Sequence, residues 1–223
     1  MRVDKFLAGI ERIPRRHIKH ELKKKSVFIN QTICVDPGSL LAEGDTVFWL
    51  SQKVIFKEFI YLMIHKPQGV ICSDRDEHGR KSYRQLLIDC PYAPLVHVAG
   101  RLDQDSTGLI LASNDGQRIH DLISPKKEEY KTYIVTLRDL VSTNDIEQLK
   151  QGIVLDDDYT TLPAQAQLLE SHKVQLSITE GKYHQVKRMF EALGNQVTGL
   201  HRTSIGKYEL GDLKVGERRE IGN

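Results

Sequence analysis

From Phe59 to Leu200 the chain alternates short apolar runs with polar turns, and this alternation narrows the available folds more than any other feature. The runs that read as strands are Phe59–Ile64, Val70–Ser73, Val96–Ala99, Leu109–Ser113, Thr132–Leu137, Ala164–Leu169, Lys173–Ile178 and Gln196–Leu200. Helical spacing is confined to Gln117–Ile123, Thr143–Gln151 and His184–Leu193. In the last, Val186, Met189, Phe190 and Leu193 share one face. Neighbouring strands are joined by short turns, and no Gly-x-Gly-x-x-Gly follows a strand. These features argue against a doubly wound nucleotide fold and predict an α+β body with a mostly antiparallel mixed sheet.

The start of the chain is built differently. Residues 1–25 carry nine Lys/Arg and three acids, a net +6, so the rest of a chain whose total is +2 is net −4. Val3, Phe6, Leu7 and Ile10 recur at helical spacing, Pro14 stands where a second helix can begin, and Ile18 and Leu22 give that helix an apolar stripe. A hairpin follows over Val27–Ile29 and Ile33–Val35 with Asn30-Gln31 at its turn, then a strand over Thr46–Leu50. Residues 51–58 read as a short linker. The expected division is therefore a basic head with its linker, 1–57, and a body, 58–223. A basic head on a slightly acidic body predicts a surface for a polyanion, with Arg2, Lys5, Arg15, Arg16, Lys19 and Lys23 as contacts.

Other classes find little support. Apolar residues make up 39% of the chain, but no run approaches the roughly 20 needed to cross a bilayer. The opening Met-Arg-Val-Asp-Lys-Phe-Leu-Ala lacks the apolar core of a secretory signal. Cys34, Cys72 and Cys90 lie far apart, which fits neither a zinc site nor a disulfide framework and points to the cytoplasm. Asp156-Asp157-Asp158 has no spaced partners and reads as a solvated turn, not a metal site. Pro125 and Lys126-Lys127 form a basic turn that reads equally as a contact to RNA phosphate or as a plain surface loop.

The most informative stretch runs from His97 to Gly116. A strand ends at Gly100, an Arg101-Leu102-Asp103 corner follows, and a polar loop leads to Gly108 and a second strand ending at Asn114-Asp115-Gly116. An Asp at a strand end beside a Gly turn is well placed to meet a ligand. Alone, such an Asp more often caps its own loop, and Asp105 and Asp115 read that way.

The full pattern, Gly-Arg-Leu-Asp-x-x-Ser-Thr-Gly-Leu-x-Leu-x-Ser-Asn-Asp-Gly, resembles the catalytic motif of ribosomal RNA pseudouridine synthases. Three companions occur in order: Met63–Gly69 resembles the family's Leu-Asn-Lys-Pro-x-Gly, with His65 where Asn is usual. Lys131-Thr132-Tyr133 resembles its Lys-x-Tyr, and Ile178–Met189 its third motif. Tyr183–Met189 is closer to the small-subunit type than to large-subunit members of the family. The helix–basic helix–hairpin head, opening Arg-x-Asp-Lys-Phe-Leu-Ala, resembles a small RNA-binding domain known from a small-subunit ribosomal protein.

The resemblance implies isomerisation of a uridine in ribosomal RNA, 16S by the best fit, free or in an assembling small subunit. A large-subunit substrate or a non-catalytic assembly factor are the competing readings. Asp103 would be the catalytic carboxylate, as nucleophile or base. Lys187, favoured over Arg188 by motif position, would be its cation. Tyr133 would stack on the uracil, Ile178 would floor the base pocket, and Arg101 and Arg188 would meet the substrate. The reaction involves no redox change and no energy input, so no cofactor or metal is expected, and the enzyme is expected to act as a monomer.

Overall fold

In the computed structural model, residues 1–123 and 129–222 are described; the Lys126-Lys127 turn lies outside them. Contacts divide the chain into two compact units. One holds Met1–Ile60, Leu87–His97 and Ser113–Asp115; the other holds Tyr61–Leu86, Val98–Ala112 and Gly116–Asn223.

The first unit is built on the helical spacing at the start of the chain. α1 (Val3–Glu11) buries Val3, Phe6, Leu7 and Ile10, and ends where Arg12 takes a left-handed conformation at φ 54°. α2 (Arg15–Lys23) begins after Pro14 and fully buries Ile18 and Leu22. Phe6 meets Phe56 edge to face at 5.1 Å, an arrangement that suits the ring quadrupoles. β1 (Phe28–Ile29) and β2 (Thr32–Ile33) form the hairpin, with Asn30 and Gln31 both at positive φ, as its two-residue turn requires. β3 (Thr46–Trp49) and β4 (Gln52–Ile55) complete a sheet ordered β2-β1-β3-β4. Residues 52–55, read from the sequence as part of a linker, thus pair with β3. Leu50 and Ser51, both at positive φ, supply a hairpin turn without the Asn-Gly or Gly that signals one.

The second unit is a large sheet with helices against it. Its strands are β5 (Tyr61–Lys66), β6 (His97–Ala99), β7 (Thr107–Ser113), β8 (Lys131–Leu137), β9 (Gln165–Glu170), β10 (Lys173–Ile178), β11 (Val197–Ile205), β12 (Tyr208–Glu209) and β13 (Arg218–Glu220). The order is β13-β5-β7-β11-β8-β10-β9, with β6 on β7 and β12 on β11. The β7–β11 pair is parallel, whereas β13–β5, β11–β12, β11–β8, β8–β10 and β10–β9 are antiparallel. The expected mixed, antiparallel-rich α+β body is what forms.

Three helices belong to this unit: α3 (Gly116–Ile123), α4 (Thr143–Gln151) and α5 (Gln185–Ala192). α4 opens with a capping box in which Ser142 and Asp145 satisfy each other's backbone amides. α5 turns Val186, Met189 and Phe190 into the core. Val70–Ser73 forms no strand; Ile71 makes a single bridge to Ser82, within a segment that Asp74 and Asp76 hold by side-chain hydrogen bonds. No helix among the described residues is long and apolar enough to cross a membrane.

Candidate active site

Two glycines shape the corner that carries Asp103. Gly100, at φ +68°, turns the chain as it leaves β6. Gly108, at φ +106°, lies where the parallel β7–β11 pair brings two backbones together. A Cβ there would sit 2.2 Å from the Arg202 carbonyl oxygen, so no side chain fits. Between them, Asp103 emerges with its carboxylate one-third exposed.

The cation opposite comes from α5. Lys187 Nζ lies 3.0 Å from Asp103 Oδ2 and 2.7 Å from Asp105 Oδ1, bridging the two carboxylates. Burial alone would depress the Lys187 ammonium, but its hydrogen bonds to Asp105 and Asp103 hold it above the ordinary lysine value. Burial would raise Asp105, and the Lys187 bond and charge hold it below the usual carboxylate range. Asp105, read from the sequence as a loop cap, is therefore part of this ion cluster. His184 Nε2 stands 3.5 Å from Asp103 Oδ1, with its ring stacked on Tyr183 at 3.9 Å.

Asp103 faces two cavities. One, of about 830 Å³, is lined by Gln68, Cys72, Arg80, Arg101, Tyr183 and Lys187 among others. The other, of about 530 Å³, is lined by Tyr133, Ile178, Lys131, Ser106 and Arg202 as well as Asp103 and Lys187. Alternation along β8 buries Lys131 and Tyr133 on one face, and Ile178 at the end of β10 is also buried. The structure thus brings Asp103, Tyr133, Lys187, Arg101 and Ile178 together. Arg188 turns elsewhere, pairing with Asp156 and with Asp157 at 2.6 Å. The acidic turn that holds it is the Asp156–Asp158 run. Among the described residues no group of His, Cys, Asp and Glu could hold a metal ion.

Three buried cations, none of them a site residue by sequence, stand beside the pocket. Arg202 is 1% exposed; its guanidinium donates to the carbonyls of Leu109 (2.7 Å), Gly100 and Arg101 (3.4 Å), and to the Tyr133 hydroxyl (3.3 Å). It thereby ties β7, the Asp103 corner and the aromatic ring to one side chain. Lys66, fully buried, donates to the carbonyls of Ser106 (2.7 Å) and Pro67 (3.0 Å), and burial pushes it below the ordinary lysine value. Lys131 donates to the carbonyls of Thr179 (3.0 Å) and Glu129 (3.3 Å). A cue for Arg202 was available: continuing the alternation of β11 two residues past Leu200 places it inward. His65 is buried, and its Nδ1 is 2.7 Å from the Leu213 carbonyl, which requires the proton on Nδ1.

The candidate RNA contacts belong to the first unit, where Lys5, Arg16, Lys19 and Lys23 are exposed on α1 and α2. Arg2 and Arg15 are half engaged, converging on the fully buried Asp4 at 3.2 and 2.7 Å. Burial would raise Asp4, and these hydrogen bonds overcome it, leaving the carboxyl below its usual range.

A fold and a carboxylate–ammonium pocket of this kind define a class, and comparison with known proteins identifies it. Residues 60–192 match the family of RNA pseudouridylate synthases. The ribosomal small subunit pseudouridine synthase A of Pasteurella multocida is 40% identical over 99% of this chain and 96% of its own length. That of Yersinia pestis is 42% identical over 99% and 94%. A crystal structure of a pseudouridylate synthase superposes with a TM-score of 0.70 at 39% identity, covering all of this chain and 96% of that one. The chain belongs to the RNA pseudouridylate synthase family and is an isomerase.

Proposed function

We propose that this chain converts a uridine of small-subunit (16S) ribosomal RNA to pseudouridine in the cytoplasm, acting as a monomer on free RNA or on an assembling subunit. The observation that carries the reading is Asp103, its carboxylate paired with Lys187 at 3.0 Å at the mouth of a cavity that also holds Tyr133 and Ile178. The small-subunit assignment rests on relatives that bear that name over nearly their whole length.

The chemistry follows from what the cavity offers. A carboxylate drawn out of water is costly unless a cation stands beside it, and Lys187 does so at 3.0 Å. Ionised Asp103 either attacks the anomeric carbon or takes the neighbouring sugar proton as the bond to uracil N1 breaks. The uracil turns while held between Tyr133 and Ile178, and its carbon 5 joins the anomeric carbon as the Asp103–carbon bond breaks or, on the second route, as Asp103 returns the sugar proton. Carbon 5 gives up its proton and N1 takes one up, so substrate and product have the same composition with no net redox change, and neither cofactor nor metal is needed. The uridine must be flipped out of its stack, which costs a few kcal/mol. Residues 1–57, acting as an RNA-binding head through Arg2, Lys5, Arg15, Arg16, Lys19 and Lys23, offset that cost by holding phosphates nearby.

The test is to incubate the protein with naked 16S RNA, small-subunit assembly intermediates and 23S RNA, then map pseudouridine chemically. A single new site in the small-subunit RNA is expected. Modification confined to 23S RNA would overturn the substrate assignment, and RNA binding without product would favour an assembly factor.

A further inference from the structure

We propose that Lys131 is a catalytic residue that neutralises the uracil while it is detached from the sugar; this rests on the isomerase reading above. Charge moves from one group to another as the base leaves the sugar. When the N1–C1′ bond breaks, its electron pair stays on N1, and the uracil carries a negative charge spread over N1 and its carbonyl oxygens. If Asp103 attacks C1′, a carboxylate becomes an ester; if it removes the sugar proton, it becomes an acid. Either way the carboxylate's charge disappears as the uracil's appears. Lys187 balances Asp103 before that step, and a different cation must balance the base after it.

Lys131 fits that need. It is 4% exposed, lies two residues from Tyr133 on the inward face of β8, and lines the same cavity as Tyr133, Ile178 and Asp103. Two of its three N–H bonds go to the carbonyls of Thr179 and Glu129, and the third has no partner among the described residues. It has no carboxylate within ion-pair distance among those residues. An ammonium that deep, hydrogen-bonded only to carbonyls, is fixed in place; burial and the Arg202 charge push it below the ordinary lysine value, and the Glu129 charge opposes them from beyond ion-pair distance. Ser106, lining the same cavity, has a buried hydroxyl with no partner among the described residues. The cavity therefore holds unspent donor capacity of the kind a base anion would take up. Arg202 contributes to the same field, but its guanidinium is committed to three carbonyls and the Tyr133 hydroxyl.

The test uses the full chain with Lys131→Gln, which keeps a donor but no charge, and Lys131→Arg, which keeps the charge. Single-turnover rates are measured on small-subunit ribosomal RNA made with uridine or with 5-fluorouridine, whose more acidic base needs less charge compensation on leaving. For the fluorinated RNA, glycosidic cleavage is read by mass spectrometry as loss of 5-fluorouridine from the target position. Lys131→Gln should slow the uridine reaction about 100-fold with RNA affinity unchanged. That loss should shrink several-fold on 5-fluorouridine, and Lys131→Arg should stay within about tenfold of wild type. An equal loss on both RNAs, or equal loss for Gln and Arg, overturns the proposal while an active wild type keeps the isomerase reading. If Lys131→Gln does not melt cooperatively, the Arg variant decides: more than about 100-fold slowing in a folded protein overturns the role. A wild type that makes no pseudouridine removes both.

Discussion

Replacing Arg202 by methionine should damage stability and catalysis together, because one side chain organises both. The substitution removes donors to four acceptors. The Leu109 carbonyl, 2.7 Å away and buried, would lose a strong charged donor, and the buried Tyr133 hydroxyl a longer one at 3.3 Å. Each such loss costs about 1–3 kcal/mol, the second at the lower end. The Gly100 and Arg101 carbonyls are part-buried, so water can replace the guanidinium there at smaller cost. Removing a buried charge returns some of its desolvation penalty. The net expectation is a loss of about 3 kcal/mol in urea unfolding followed by circular dichroism. The Gly100–Asp103 corner would also lose its anchor, and a shift of about 1 Å there should slow single-turnover pseudouridine formation about 100-fold with little change in RNA affinity. Arg202→Met with stability within about 0.5 kcal/mol of wild type and full activity would refute the reasoning.

Gly108→Ala forces a Cβ to within 2.2 Å of the Arg202 carbonyl oxygen at φ +106°, so a loss of about 3 kcal/mol or more, or failure to fold, is expected in the same unfolding assay. Asp4→Asn should cost the protein about 2 kcal/mol, discounted because Arg2 and Arg15 are half exposed. Since the Asp4 carboxyl is held below its usual range, its contribution is present above about pH 4 and is lost as pH falls through the depressed value. Thermal melts from pH 6 to pH 2 should therefore fall more steeply for wild type than for Asp4→Asn. Replacing Arg16, Lys19 and Lys23 by alanine should weaken RNA binding across sequences and reduce the slope of log affinity against log salt by about 2–3, leaving the single-turnover rate at saturating protein unchanged. An unchanged slope would remove α2 from the RNA-binding surface.

Much of this architecture was legible in the sequence because period and turn chemistry are local. Helices α1, α2 and α4 and strand β10 follow directly from spacing, and β8 and β9 begin or end within a residue of their expected limits. β4 was not legible, because Gln52-Lys53-Val54-Ile55 is short and half polar and its turn lacks the usual glycine. Asp103 and Lys187 were legible only through long motifs, since a single Asp or Lys has no periodic signature. The buried cations were hidden for a physical reason. Lys66, Lys131 and Arg202 are tolerated inside because backbone carbonyls receive them, and those acceptors are supplied by the fold, not by the identity of neighbouring residues. Composition places such side chains outside; strand alternation points Arg202 inward, but tertiary structure alone reveals the carbonyls that receive all three. The same is true of Arg188, whose partners Asp156 and Asp157 lie more than thirty positions away.

The most direct test of the account is the pseudouridine content of small-subunit ribosomal RNA treated with wild-type protein or with Asp103→Asn, which keeps the shape of the side chain and loses its charge. Quantitative mapping at the modified position should show stoichiometric conversion by wild type and none by Asp103→Asn, with RNA binding retained by both. Conversion by Asp103→Asn at the wild-type rate would contradict the central claim that this carboxylate, paired with Lys187, begins the reaction.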